Sequence, residues 1–166
     1  MKASLKIEPV TEENFEVFFH LLQELAKFEK LKGPDDQAKL RLKNDGLSAN
    51  PKYEAFLGMH KDIAIGYIIL YTTYSSFLAL PSLFIEDIFI LEEHRRKGFG
   101  QQFFKFCVHK AQAQGCGRIE WIVLTWNQPA INLYEKIGAS RKDWYFYRLK
   151  QEAFPKILGM RSASSS

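Results

Sequence analysis

The stretch at residues 83–114 constrains the fold of this chain more than any other. It begins with the apolar run LFIEDIFIL, passes through the charged turn EEHRRKGFG and continues into QQFFKFCVHKAQAQ. The first run predicts a buried strand and the last predicts a helix, with glycines between them. Residues 119–125 are β-branched and aromatic and predict a second, parallel strand, so the three elements form a βαβ unit.

The turn RRKGFG at residues 95–100 has the composition of a phosphate-binding site. Gly98 and Gly100 let backbone N–H groups converge without Cβ atoms in the way, and a helix starting there adds its free N–H groups and its positive end. The three basic residues add positive charge at the rim, which favours a polyanion such as pyrophosphate. A Walker loop is absent, and Phe103 stands where the dinucleotide fingerprint needs its third glycine. An ordinary glycine-capped turn with solvated basic residues is the alternative.

Four segments together resemble the GNAT N-acetyltransferases. RxxGxG after a strand is similar to their acetyl-CoA pyrophosphate loop, and three further segments are similar to spermidine/spermine (diamine) acetyltransferases: ELAKFEK at 24–30, FIEDIFI at 84–90 and WNQPAINLYEKIGA at 126–139. The resemblance covers most of the chain. It implies an α/β GNAT (acyl-CoA N-acyltransferase) fold with a mixed six- or seven-stranded sheet. It also implies direct transfer of acetyl from the cosubstrate acetyl-CoA to a primary amine of a small polyamine or diamine in a ternary complex.

Length and composition agree with one domain. The chain has 166 residues, of which 46% are hydrophobic, enough for a sizeable core. We expect a single GNAT domain over residues 1–160 and a disordered Ser-rich tail over residues 161–166. Other expected strands lie at 4–8, 53–59, 63–71 and 144–150, and the expected helices at 11–30, 37–44 and 129–138. Residues 72–81 are expected to form an aromatic loop.

Composition also excludes several partner classes. The 23 basic and 19 acidic residues give a mild net charge of +4. The basic residues are not clustered as they are in nucleic-acid-binding proteins, so no nucleic acid is expected. Cys107 and Cys116 lack CxxC spacing, and the histidines lack ligand spacing, so no disulfide framework and no metal is expected. No apolar run approaches the ~20 residues of a membrane span, which predicts a cytoplasmic protein without a membrane partner.

Acetyl transfer to an amine needs a base and a proton donor. A free amine of this kind has a reference pKa of about 10.4 and is protonated near neutrality. Glu86 and Asp87 interrupt an apolar strand, and strand alternation predicts that they point to opposite faces. The resemblance implies that Glu86 is the base, directly or through water, and that Asp87 binds the distal ammonium of the acceptor. The alternative is a pair of strand-edge carboxylates satisfied by nearby donors.

Tyr134, in INLYEKIGA, matches the family tyrosine that donates a proton to the leaving thiolate. A tyrosine on an apolar helix face can instead be a core residue with one hydrogen bond.

The resemblance assigns the remaining site residues. The pantetheine arm would pair with the backbone of Ile88, Phe89 and Ile90. The pyrophosphate would lie on the backbone of Arg96, Lys97, Gly98, Phe99, Gly100 and Gln101. The other wall of the coenzyme cleft would comprise Asn127, Gln128, Pro129 and Ala130. The acceptor would contact Phe28, Glu29, Glu86, Asp87, Glu120, Trp121 and Ile122.

Two positions depart from the pattern of the polyamine enzymes. Phe28 stands where they commonly have tyrosine, which removes one hydroxyl contact. Ile137 stands where they usually have a basic residue near the coenzyme. Taken without the resemblance, Glu29 reads as a solvated carboxylate at a helix end.

Three other functions stay open at this point. Thialysine acetyltransferases share the same sequence blocks, so the acceptor could be the side-chain amine of a lysine-like amino acid. A coenzyme-binding regulatory module without turnover would keep the loop but would not need Glu86 and Tyr134. Nucleic-acid binding is the third, and the lack of a basic cluster disfavours it. The resemblance also implies a homodimer, which nothing in the periodicity of the sequence indicates.

Overall fold

A computed structural model describes residues 4–160, in which a five-stranded sheet has helices on both faces. Neighbouring strands follow the order of the chain: β1 (Lys6–Pro9), β2 (Glu54–His60), β3 (Ile63–Ser75), β4 (Leu80–Ile90) and β5 (Arg118–Trp121). The first four strands are antiparallel, and β5 pairs in parallel with β4. The helices are α1 (Phe15–Phe28), α2 (Asp36–Gly46), α3 (Phe99–Ala113), α4 (Gln128–Lys136) and α5 (Phe154–Leu158).

The predicted βαβ unit is confirmed, since β4, α3 and β5 follow one another and the two strands are parallel. The strands predicted at 53–59 and 63–71 are confirmed as β2 and β3, which form a hairpin. Its two turn residues, Lys61 and Asp62, have φ values of 51° and 61°, the left-handed pair that a tight hairpin turn requires. Asp35 caps α2, because its side chain accepts a hydrogen bond of 2.9 Å from the N–H of Ala38.

The sheet separates two apolar cores, one on each face. Alternate residues of β3 divide between them, as the period of a strand requires. On one face Tyr67 and Ile69 pack with α1 through Phe15, Phe18 and Leu21. On the other face Ile68 and Leu70 pack with α3 through Phe103, Phe104 and Cys107. We refer to these as the α1 face and the α3 face of the sheet.

Three predictions about the strands were wrong. Within residues 4–160 the sheet has five strands rather than six or seven. The loop predicted over residues 72–81 is shorter, with only residues 76–79 forming a turn, because β3 and β4 continue to pair as far as Ser75 and Leu80. Residues 144–150 contain no regular secondary structure, and Trp144 is 74% exposed. Aromatic and β-branched composition favours an extended backbone, but a strand forms only where a neighbour completes its hydrogen bonds.

Two further expectations concern the tail at residues 161–166 and membrane-spanning segments. The predicted Ser-rich tail at residues 161–166 lies outside the described residues. Among the helices of residues 4–160, none combines the length and the apolar character that crossing a bilayer requires.

Candidate active site

A β-bulge in β4 sets the position of the two acidic residues. Asp87 lies opposite Ile69 and Ile85 lies opposite Leu70, so Glu86 is an extra residue without a partner on β3. Ile85 and Ile88 both pack on the α3 face. The two residues between them therefore both face α1, and both line one cavity on that side. The prediction that Glu86 and Asp87 point to opposite faces was wrong, because the extra residue interrupts the alternation.

The cavity beside these carboxylates is open and has a volume of about 310 Å³. Its other walls are apolar or phenolic and come from α1, α2, β3 and the segment before β2: Leu22, Leu42, Tyr53, Ile69 and Tyr71. The volume lies near the lower end of the range for small-molecule sites. A cavity with apolar walls and two acids at one end fits a short aliphatic chain that carries a positive charge.

Negative charge accumulates around Asp87. Burial, followed by the charge of Glu86, raises the pKa of Asp87 to about 6, and Glu29 adds a smaller effect in the same direction. Glu29 follows the last residue of α1, and burial raises the pKa of its carboxyl as well. Within residues 4–160 none of these three carboxylates forms an ion pair. The pocket therefore presents uncompensated negative charge, which favours a cationic ligand.

Two tyrosines of β3 hold the two carboxyl groups. The hydroxyl of Tyr67 donates a hydrogen bond of 3.2 Å to Oδ2 of Asp87. Tyr71 lies beside Glu86, and its pKa is raised to about 12 by burial, by the charge of Glu86 and by a hydrogen bond to that residue. Sequence reasoning missed both tyrosines. They lie four residues apart on one strand, and that spacing places them on the face that carries the acids.

A gap opens beside the bulge on the other edge of β4. The parallel pairing with β5 ends where Ile85 meets Trp121, so in the described residues β4 continues without a neighbour on that edge. Just after β4, the N–H of Leu91 donates a hydrogen bond of 2.9 Å to the carbonyl of Ile65 on β3. In an antiparallel ladder successive residues alternate in direction, so the backbone groups of Ile88 and Ile90 face the gap. The resemblance implied that the pantetheine arm pairs with residues 88–90 at this position, but the backbone groups of Phe89 face β3 instead of the gap.

The sequence suggested that Arg95 adds positive charge at the rim of the turn. In the structure it does not. Its guanidinium lies over the ring of Phe28 at 4.2 Å and near the ring of Phe89 at 5.6 Å. Its Nε–H donates to the carbonyl of Ile90 at 2.8 Å, and burial lowers the pKa of Arg95. Phe28, which in turn contacts the ring of Trp126 at 5.7 Å, thus joins the end of α1 to the edge of the gap.

The glycines of the turn before α3 have different structural roles. Gly98 has a φ of 85°, and a Cβ there would meet no atom within 4 Å, so its conformation is what requires glycine. At Gly100 a Cβ would lie 2.8 Å from Cδ2 of Leu133, so glycine lets α4 pack closely, and a larger residue would displace the end of that side chain. Arg96 and Lys97 are exposed. The N–H groups of Phe99, Gly100 and Gln101 belong to the first turn of α3, where such groups have no partner inside the helix.

Tyr134 lies on the α3 face, close to the gap. Its ring packs edge-on against Trp121 at 5.1 Å and against Phe104 at 5.5 Å. Burial raises its pKa to about 12, and no group within residues 4–160 accepts a hydrogen bond from its hydroxyl. Because Trp121 pairs with Ile85, Tyr134 and Glu86 lie on opposite faces of the sheet at the point where β4 and β5 part.

The start of α4 explains the residues predicted for the second wall of the cleft. Oδ1 of Asn127 accepts a hydrogen bond of 3.4 Å from the N–H of Ala130, which caps the helix, and Pro129 lies in its first turn. Gln128, also in this turn, donates to the side chain of Asn132 at 2.7 Å. The local role of these residues is to start the helix that carries Tyr134.

The structure separates the three residues of β5 and its end that were predicted to line the acceptor pocket. Glu120 forms an ion pair of 3.0 Å with Arg118. Trp121 packs on the α3 face against Tyr134, so it lies on the face opposite to Asp87. Ile122 follows β5 and is 55% exposed. The structure thus brings Glu86 and Asp87 together in one cavity, with Glu29 within electrostatic range, and keeps Glu120 paired elsewhere.

Curated relatives of the chain include two proteins named as N-acetyltransferases and one named as similar to such an enzyme. The chain is 40% identical to L-ornithine N5-acetyltransferase NATA1 of Arabidopsis thaliana over 65% of this chain and 49% of that protein, so it matches about half the length of this relative. It is 27% identical to thialysine N-epsilon-acetyltransferase of Mus musculus over 95% of this chain and 99% of that protein. Spermidine/spermine N(1)-acetyltransferase-like protein 1 of Homo sapiens is 26% identical over 80% of this chain and 20% of that protein.

Solved structures agree with the fold. The structure of aminoglycoside N-acetyltransferase AAC(6')-Iy in complex with CoA superposes with a TM-score of 0.74 at 20% identity, over 91% of this chain and 97% of that chain. The family model that matches is described as the acetyltransferase (GNAT) family, and it covers residues 15–139. These findings confirm the resemblance to GNAT and diamine acetyltransferases seen in the sequence. With the bulged strand, the gap beside it and the glycine turn before α3, they show that the chain is an acetyltransferase of the GNAT family.

Proposed function

We propose that this protein transfers an acetyl group from acetyl-CoA directly to a primary amine of a small molecule that carries a second positive charge. The observation that carries the proposal is the bulge in β4. It places Glu86 and Asp87 side by side, without a cationic partner in the described residues, in a cavity of about 310 Å³. An acceptor with two cationic groups would supply the charge that this pocket lacks.

The residues around the gap are suited to hold acetyl-CoA, which supplies the acetyl thioester when bound. The backbone of Ile88 and the N–H of Ile90 face the gap, as expected for the pantetheine arm, while the carbonyl of Ile90 accepts from Arg95. The free N–H groups at the start of α3, with the exposed Arg96 and Lys97 beside them, suit the pyrophosphate. The first turn of α4, at residues 127–130, would form the opposite wall.

The residues at the gap account for the proton transfers that the reaction needs. Glu86 would take a proton from the ammonium of the acceptor, directly or through water, and so free the nitrogen lone pair for the new C–N bond. Tyr134 would donate its proton to sulfur as the C–S bond breaks, and the proton that the nitrogen then sheds would restore the tyrosine. A pKa of about 12 keeps Tyr134 in the protonated, donating form throughout the neutral range.

Two acceptor classes fit this proposal, and different observations favour them. The named activities of the relatives, on ornithine and thialysine, favour a diamino acid. The pocket itself favours a diamine or polyamine, because its charged groups are the carboxylates Glu86 and Asp87, with Glu29 nearby. The α-carboxylate of an amino acid would need a cation, and Arg95, over the ring of Phe28, is the nearby candidate.

A thiol-release assay with acetyl-CoA tests the proposal. The panel contains spermidine, 1,4-diaminobutane, ornithine, thialysine, and butylamine as a matched amine with a single charge. We expect turnover of at least one doubly charged acceptor, little with butylamine, and a loss in kcat of about 100-fold or more in Tyr134→Phe. Coenzyme binding without turnover of any panel amine would contradict the proposal. Turnover of the amino acids alone would assign the diamino-acid branch.

We also propose that the protein forms a homodimer, as the family resemblance implied. Two features of the described residues support this. The outer edge of β5 has no neighbouring strand, and residues 144–147, with the sequence WYFY, are 64–88% exposed. Exposed strand edges and apolar patches of this kind favour association. Sedimentation velocity would test it, and a monomer at micromolar concentration would refute it.

A further inference from the structure

We propose that Tyr67 is a positioning residue for acceptor recognition: its hydroxyl holds the carboxylate of Asp87 in the pocket where the second positive charge of the acceptor binds. The inference rests on the proposed function, because it assigns a role within the same pocket. No sequence motif pointed to Tyr67, and neither the family match nor the named relatives assign it a role.

The ring of Tyr67 is fixed by the core. The residue is fully buried, with 0% of its surface exposed. Its ring contacts Phe18 of α1 edge-on at 5.3 Å and Phe89 of β4 at 6.1 Å. These contacts leave the phenol little freedom to move. The hydroxyl is therefore held in place, at 3.2 Å from Oδ2 of Asp87.

Packing alone does not explain why the residue at position 67 carries a hydroxyl group. The ring contacts Phe18 and Phe89, and the other buried members of the same core cluster are apolar as well. Phenylalanine would fill the same volume without burying a polar group, which costs free energy unless it is hydrogen-bonded. The hydrogen bond to Asp87 satisfies that requirement. The bond also joins the core to a residue that lines the cavity, since it holds Oδ2 of Asp87.

The electrostatics of the pocket give the hydrogen bond a functional consequence. Burial, Glu86 on the same strand and Glu29 at the end of α1 all raise the pKa of Asp87, whereas the hydrogen bond from Tyr67 lowers it. Tyr71 on β3 and Tyr53 across the cavity are the other titratable groups that line the pocket. Without the hydroxyl of Tyr67, Asp87 would be protonated closer to neutral pH. A neutral carboxyl attracts an ammonium group far less.

The kinetic test compares Tyr67→Phe with wild type on 1,4-diaminobutane and on butylamine. A hydrogen bond to a charged group is strong enough that its loss should raise KM for the diamine about tenfold at pH 7. We expect kcat for the diamine, and the low kcat/KM for butylamine measured at high amine concentration, to change less than about twofold. The KM difference for the diamine should widen as the pH falls towards 6. Equal losses for both amines, or a pH-independent loss, would show a merely structural role.

A double-mutant cycle separates action through Asp87 from other effects. In an Asp87→Asn background, Tyr67→Phe should cause no further rise in KM for the diamine, because no charge remains to be positioned. Additive effects would overturn the proposal. Tyr74→Phe is the matched control, since Tyr74 lies on the same strand and is 69% exposed. It should behave as wild type with both amines.

A measurement without turnover keeps this inference distinct from the proposed function. Carbon-13 NMR of the full chain, with labelled aspartate, follows the carboxyl of Asp87 during a pH titration. We expect its pKa to rise in Tyr67→Phe relative to wild type. An unchanged titration would refute the role of Tyr67 even if the enzyme acetylates diamines. If wild type turned over none of the amines, the proposed function would fail, while a raised pKa would still show that Tyr67 positions Asp87.

Discussion

Asp87→Asn should make the protein more stable at neutral pH. Folding raises the pKa of this carboxyl from its ordinary value of 3.8 to about 6. Above pH 6 the folded state must hold a charge that its surroundings disfavour, whereas the unfolded chain solvates that charge freely. About two pKa units, at about 1.4 kcal/mol each, correspond to about 3 kcal/mol of destabilisation. Asparagine has the same shape, carries no charge and keeps an oxygen that can accept from Tyr67.

The sign and the pH range of this effect follow from the raised pKa. Between pH 3.8 and about 6 the folded state binds more protons than the unfolded state, so stability falls as pH rises through this interval. The wild-type disadvantage is complete above about pH 6 and shrinks on acidification. At pH 5 the calculated difference from the asparagine variant is about half its value at pH 8.

Urea denaturation of both proteins at pH 5 and pH 8 measures the difference. We expect the variant to exceed wild type by about 2–3 kcal/mol at pH 8 and by about half as much at pH 5. The reasoning is refuted if the variant is no more stable than wild type at pH 8. It is also refuted if the advantage does not shrink at pH 5. The same variant should bind doubly charged acceptors less well, so the charge would be retained for function at a cost in stability.

Two further substitutions test the framework of the site. Gly66→Ala should destabilise the protein by about 1–3 kcal/mol in urea denaturation, because its Cβ would lie 2.2 Å from the backbone oxygen of Phe89; an unchanged midpoint would contradict the close approach of β3 and β4. Arg95→Ala should cost about 1–2 kcal/mol, since it removes the stacking on Phe28 and the hydrogen bond to Ile90. The exposed neighbour Arg96→Ala should cost less than about 0.5 kcal/mol, and equal effects of the two would argue against the inward position of Arg95.

The elements with strong local signals were predictable from the sequence. The apolar run before the RRKGFG turn and the helical spacing after it identified β4 and α3, because both signals lie within a few residues of each other. Glu86 and Asp87, an acidic pair in an otherwise apolar strand, identified the site because this signal is local as well. A carboxylate in a buried strand is unusual enough to require an explanation.

The features that sequence reasoning missed depend on distant parts of the chain. The bulge at Glu86 is set by its register with Ile69 and Leu70 of β3, 17 and 16 residues earlier, and no local pattern encodes it. Arg95 turns inward because its guanidinium stacks on the ring of Phe28, at the end of α1. The aromatic run at 144–150 has the composition of a strand, but it has no neighbouring strand within residues 4–160. Each outcome was decided by tertiary partners rather than by local propensity.

The bulge also makes the site sensitive to chain length in a way that no substitution reproduces. Replacing Glu86 changes one charge and leaves the other acid where it is. Deleting one residue between Ile85 and Ile88 would restore the alternation of the strand, and if Ile85 and Ile88 kept their places only one side chain could lie between them. The proximity of the two acids is therefore encoded by a count of residues. Insertions and deletions in β4 should be tolerated far less than point changes at the same positions.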